Sequence, residues 1–88
     1  LGTWGSLFDI ADKDTNGNTP LKTKALLYES SGNVIALNDP NRLAVIQGLQ
    51  DYIVAESGNV LLICKREDEQ RIKEFMADAQ MKFGKEYN

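Results

Sequence analysis

The sequence predicts a mainly β domain with flanking helices, built from short strands and capped by a C-terminal α-helix. Three observations predict it. From Lys24 the chain runs in nine-residue frames, KALLYESSG, NVIALNDPN, RLAVIQGLQ, DYIVAESGN and VLLICKRED, each apolar at its second to fifth positions and polar at its sixth. The later positions of the frames hold turn formers, among them Ser31-Gly32-Asn33, Asn38-Asp39-Pro40-Asn41, Gly48 and Ser57-Gly58-Asn59. After Cys64 the spacing changes, and Ile72, Phe75, Met76, Ala79 and Phe83 recur at the steps of a helix stripe.

Taken in order, Leu1 to Ala11 places Trp4, Leu7, Phe8 and Ala11 on one helical face. So short a helix cannot stand alone. Asp12 to Thr23, with its DKDTNGN run and Pro20, has the composition of a loop. The five apolar runs that follow are too short for helices and are bounded by Gly, Pro, Asn and Asp, which makes them strands. Their spacing suits either an antiparallel meander or a solenoid whose successive strands stack as coils. The heptapeptide SGNVIAL at Ser31 returns as SGNVLLI at Ser57, which supports a repeated strand-turn unit. Unbroken apolar runs favour strands covered on both faces. The terminal helix supplies one cover. Glu67, Asp68 and Glu69 near its start and Lys82 and Lys85 near its end suit the helix dipole, and Gly84 suits its stop.

Composition narrows the function. An 88-residue chain makes one small domain with a modest core. Ten Lys and Arg against 13 Asp and Glu give a net charge of -3, which offers nucleic acid or an anionic membrane no general attraction. The single cysteine, Cys64, permits no internal disulfide, and without histidine neither His-ligated zinc nor a His-based triad is possible. No apolar stretch approaches the roughly 20 residues of a membrane span, and nothing resembles a signal peptide. A soluble, cytoplasmic protein is expected, with no nucleic-acid or membrane partner.

No motif amounts to an active site. DKDTNGN resembles the start of a calcium loop, but its twelfth position is Thr23 where a bidentate Glu is needed, and Pro20 interrupts the exit, so a solvated turn is the better reading. Gly32, Gly48 and Gly58 do not make a phosphate-binding G-x-G-x-x-G and serve turns. Cys64 closes an apolar run and reads as a small buried hydrophobe with no base to activate it. Trp4 and Tyr52 lie inside apolar patterns and read as core or interface anchors. No catalytic, substrate-binding or metal-ligating residue is predicted. An exposed apolar patch including Trp4 and part of the strand faces is expected.

Two stretches carry a family resemblance. LGTWGSLFDIADKDTNGN, Leu1 to Asn18, resembles the segment of mannose-1-phosphate guanylyltransferases that follows their GWSD motif, where a variable residue, G-[TS]-W and a helix come next. NRLAVIQGLQDYIVAESGNVLLICKREDEQRIKEFM, Asn41 to Met76, resembles the C-terminal region of that family, a short strand series running into a charged helix. The resemblance implies the C-terminal part of a monofunctional enzyme that joins GTP to mannose 1-phosphate, giving GDP-mannose and pyrophosphate with a divalent metal, Mg by expectation. The abrupt start, with no initiator methionine, agrees with a fragment whose catalytic domain lies elsewhere.

On this resemblance Leu1, Gly2, Thr3 and Trp4 are the trailing edge of the GWSD segment and serve packing, not chemistry. Residues 1-23 are the trailing helix and linker of the nucleotidyltransferase domain. Residues 24-88 form a left-handed β-helix-like domain with its terminal helix. The implied partners are the catalytic domain of the same chain and a second copy in a homodimer; the fragment itself holds no cofactor and is inactive. Ser57-Gly58-Asn59-Val60 replaces the family's Thr-x-Asp-Ala step, and no histidine-bearing cupin follows, so isomerase activity is not implied. The alternative is an independent small protein-binding module using its sheet edges or an exposed strand face.

Overall fold

A computed structural model describes residues 4-88. Helix α1 spans Trp4–Ile10. Strands β1 (Thr19–Pro20), β2 (Lys24–Tyr28), β3 (Val34–Ala36), β4 (Leu43–Gln47), β5 (Tyr52–Ser57) and β6 (Val60–Lys65) follow. A 3₁₀ segment, Arg66–Arg71, leads into helix α2, Ile72–Phe83. Each apolar frame thus yields one strand. The stretch expected to be a loop adds a sixth, because the Thr19 N–H donates to Asn33 O at 2.7 Å and the Leu21 N–H to Ile35 O at 2.8 Å.

The strands form two sheets, in the orders β1-β3-β5-β6 and β2-β4. β1-β3, β3-β5 and β2-β4 are parallel, and only β5-β6 is antiparallel. An antiparallel meander is therefore excluded for β1 to β5. Lys24 lies beside Leu43 and Val34 beside Ile53, a register of 19 residues in both sheets. From β2 to β5 successive frames alternate between the sheets, so every second strand stacks on its predecessor and one coil consumes two frames. The expectation that neighbouring strands stack is corrected in this respect. The heptapeptide repeat also has no structural counterpart: Ser31 opens onto β3 at a parallel coil corner, whereas Ser57-Gly58-Asn59 turns the β5-β6 hairpin, with Gly58 at φ +56° as the first residue of its two-residue loop.

Only the central strands are covered on both faces. Val34, Ile35, Ile53, Val54 and Ala55 are buried, together with Cys64 of β6. Complete burial of Val34, Ile35 and Ile53 contributes about 1.5–3 kcal/mol each. One face of the larger sheet, carrying Ile53, Ala55 and Cys64, is closed by Trp4, Ile72 and Phe75. Strands β2, β4 and most of β6 alternate instead between half-buried and exposed positions. Their unbroken apolar runs overstated the cover, because β2 and β4 are the whole of the second sheet and show an outer face that nothing among the described residues covers.

Helix α2 ends as expected, with Gly84 at φ +120° and its N–H on Gln80 O at 2.9 Å. Of its stripe, Ile72, Phe75, Met76 and Ala79 are half-buried. Phe83, the last of the stripe, is exposed and meets Tyr87 edge-on.

Candidate functional site

The residues that organise the coils are two buried asparagines that the sequence reading took for turn formers. Asn18 and Asn33 are both fully buried at the corner preceding β1 and β3. Asn18 Oδ1 accepts the Asn33 N–H and the Asn33 side-chain amide, both at 3.0 Å. Asn33 Nδ2 also donates to Leu49 O at 2.8 Å, and Asn33 Oδ1 accepts the Tyr52 N–H at 2.8 Å. Asn18 Nδ2 donates to Ser30 O at 2.9 Å. Each asparagine therefore satisfies backbone groups of the next coil, which must be paired once they leave water. The signal was present as the dipeptides Gly17-Asn18 and Gly32-Asn33: the residue before each ladder position has positive φ, at Gly17 (80°), Gly32 (70°) and, one coil later, Asp51 (62°).

The DKDTNGN stretch supports this corner. Asp14 Oδ1 accepts the N–H groups of Asn16 and Asn18, both at 2.9 Å, and Asp14 Oδ2 accepts from Asn18 Nδ2 at 3.3 Å. Desolvation pushes the Asp14 pKa up, but these donations outweigh it and hold the carboxyl below its ordinary value. With its oxygens committed to the turn, Asp14 does not suit a cation. Among the described residues no group of three or more His, Cys, Asp or Glu side chains is placed to hold a metal ion.

The other predicted positions are dispersed. Leu1, Gly2 and Thr3 lie outside the described residues. Trp4 is half-buried against the core cluster and so is not part of an exposed patch, which corrects that part of the expectation. Tyr52 is half-buried beside the ladder. Cys64 is buried, and desolvation, followed by the charges of Asp68 and Glu69, pushes its thiol pKa up, which suits a packing residue and not a nucleophile. Glu69 does not stand free at a helix start: it accepts the N–H groups of Trp4 and Gly5.

The strand face does carry an exposed apolar surface. Leu26 lies beside Val45 in register, with Leu43 and Tyr28 along the same outer face of β2-β4. All four are exposed, Val45 to 63%. The row lies on a two-stranded sheet whose outer edges are unpaired among the described residues. No helix of the described residues is long and apolar enough to cross a membrane.

Fold and ladder together define the class: stacked parallel β coils with a helical cap and an exposed apolar sheet face. No family model matches the chain. It is 30% identical over 78 residues to the alginate biosynthesis protein AlgA of Pseudomonas aeruginosa, covering 89% of this chain and 16% of that protein. It is 29% identical over 76 residues to a mannose-1-phosphate guanylyltransferase of Salmonella montevideo, covering 86% of this chain and 16% of that one. A crystal structure from Thermus thermophilus, described as mannose-1-phosphate geranyltransferase, superposes on 89% of this chain and 23% of its own at a TM-score of 0.66. At 16% identity that likeness shows the fold alone. Over most of its length the chain is thus similar to a segment of mannose-1-phosphate guanylyltransferases. It spans only 16% of the length of these two relatives.

Proposed function

We propose that this chain is the C-terminal structural and association domain of a monofunctional mannose-1-phosphate guanylyltransferase. The parent enzyme makes GDP-mannose and pyrophosphate from GTP and mannose 1-phosphate in the cytoplasm, with a divalent metal held by its catalytic domain. The segment itself is inactive. Its partners are that catalytic domain, reached through the 1-23 segment, and a second copy of the enzyme. Nucleic acid and membranes have no part in it, and the coils wind left-handed as in the family's tail.

The observation that carries this reading is a homologous segment, matched along most of its length, whose side chains are spent on coil packing while an apolar sheet face stands exposed. The same face also suits the second reading, an independent protein-binding module. Sedimentation equilibrium of the 88-residue chain, beside a GDP-mannose synthesis assay of the same sample, separates them. An inactive dimer is expected. A stable inactive monomer places dimerisation outside these residues, and turnover of GTP and mannose 1-phosphate overturns the proposal.

A further inference from the structure

Helix α1 is attached to the body of the domain in an unusual way. It has seven residues, none fully buried, with no acidic side chain in its first turn and no basic one in its last. By itself such a segment is not a stable helix. Its N-terminal end is instead completed by a distant side chain, and its C-terminal end by a local one. At the N-terminal end the Glu69 carboxylate, 65 and 64 residues away in sequence, accepts the Trp4 N–H at 3.0 Å and the Gly5 N–H at 3.2 Å. A Cβ on Gly5 would lie 2.8 Å from Glu69 Oε1, so the glycine lets the carboxylate sit against the backbone. At the other end Lys13 donates to Phe8 O and Ala11 O.

The side of the helix is held as economically. Trp4 packs on the cluster of Ile53, Ala55 and Cys64. The Arg66 guanidinium lies 3.8 Å from the centre of the Phe8 ring. That Arg66 is itself anchored, donating to Gly32 O at 2.8 Å and to Asp51 Oδ1 at 3.2 Å. From Asp12 to Asn16 the connection to β1 is exposed. The strand ladders do not involve α1, and the core face on which Trp4 rests is also covered by Ile72 and Phe75 of α2.

We propose that α1 is a latch that opens separately from the stacked coils, with Glu69 as the residue that locks it and Phe8 on Arg66 as its second fastening. This inference stands whether or not the enzyme assignment above is right, because it concerns only contacts within the chain. Opening uncovers the side of the core cluster on which Trp4 rests.

Trp4 is the one tryptophan of the sequence, so its fluorescence reads the latch while far-UV circular dichroism reads the sheets. The test compares the intact 88-residue chain with Glu69→Ala, Glu69→Gln and Phe8→Ala. Under native conditions Glu69→Ala is expected to shift Trp4 emission to longer wavelength and to raise its quenching by acrylamide at least twofold, with the dichroism melting midpoint nearly unchanged. Glu69→Gln, which keeps one acceptor oxygen, falls between. Phe8→Ala moves Trp4 in the same direction while leaving every carboxylate in place, and it decides the matter if Glu69→Ala fails to fold. Native Trp4 emission unchanged in the folded variants, or lost only at the midpoint at which the sheets melt, overturns the proposal.

Discussion

Asn33 is the side chain on which the coil stack most depends. Its amide spans three levels of the structure, donating to Asn18 and Leu49 and accepting from Tyr52. Replacement by Ala takes the acceptor from the part-buried Tyr52 N–H and leaves Leu49 O with the Ser31 N–H as its remaining donor, losses that carry a desolvation penalty. Asn33→Ala is expected to destabilise the chain by about 3 kcal/mol in urea unfolding, within the range for breaking a buried polar network. Thr19 is the opposite case. It is buried, and its Oγ1 is the one buried side-chain polar atom among the described residues found without a hydrogen-bond partner. It stands in register with Val34 and Ile53, both apolar. Thr19→Val removes the orphan hydroxyl with little change of shape and is expected to raise stability by about 1 kcal/mol in the same experiment. The Gly-Asn pairs marked the corners, but not that their asparagines are buried, since buried asparagine and turn asparagine are written with the same letter. Asn59, which also follows a Ser-Gly pair, is exposed in the hairpin.

At the scale of elements, strand existence was legible and strand pairing was not. The frames of the apolar pattern locate β2 to β6, because a run of four apolar residues between turn formers has no other outlet than a strand. Which frame pairs with which depends on the corners, and the corners obey the 19-residue register. Glu29 (φ 45°) and Gly48 (φ 81°) occupy equivalent corners in successive coils, so the left-handed conformation is demanded by the coil and not by the residue. A Cβ at Gly48 would meet nothing within 4 Å. Gly48→Ala is therefore a purely conformational change, expected to cost about 1–2 kcal/mol by thermal or urea unfolding. The loop before β1 adds a pH dependence. Because the native Asp14 pKa is depressed, its contribution is present above the unfolded value and is lost as pH falls through the native one. Asp14→Asn is expected to be less stable than the parent at pH 7, with the gap closing in acid as the parent loses its own share. A gap that stays constant from neutral to acid pH would show that the carboxylate does not hold this loop through its charge.

For the whole molecule, the decisive feature is an imbalance between the sheets. The larger one has four strands with a helical cover on one face, while the smaller one has two strands and an uncovered outer face. Leu26, Tyr28, Leu43 and Val45 stand there in water, and on β6 Leu61 and Ile63 are exposed as well. This face supports the association proposed above, and a charge placed at its centre tests it. Val45 is 63% exposed in the monomer, so Val45→Lys has little packing to lose and is expected to change the melting midpoint only slightly. In an interface the same ammonium would be driven against the apolar row of a partner, where an unpaired charge is costly. Sedimentation equilibrium should then show the dimer of Val45→Lys weakened at least tenfold relative to the parent. Met81→Lys, at a position 85% exposed on α2 and away from this face, should leave association as it is. Equal loss in both variants would point to net charge as the cause, and no loss in either would move the interface off the β2-β4 sheet.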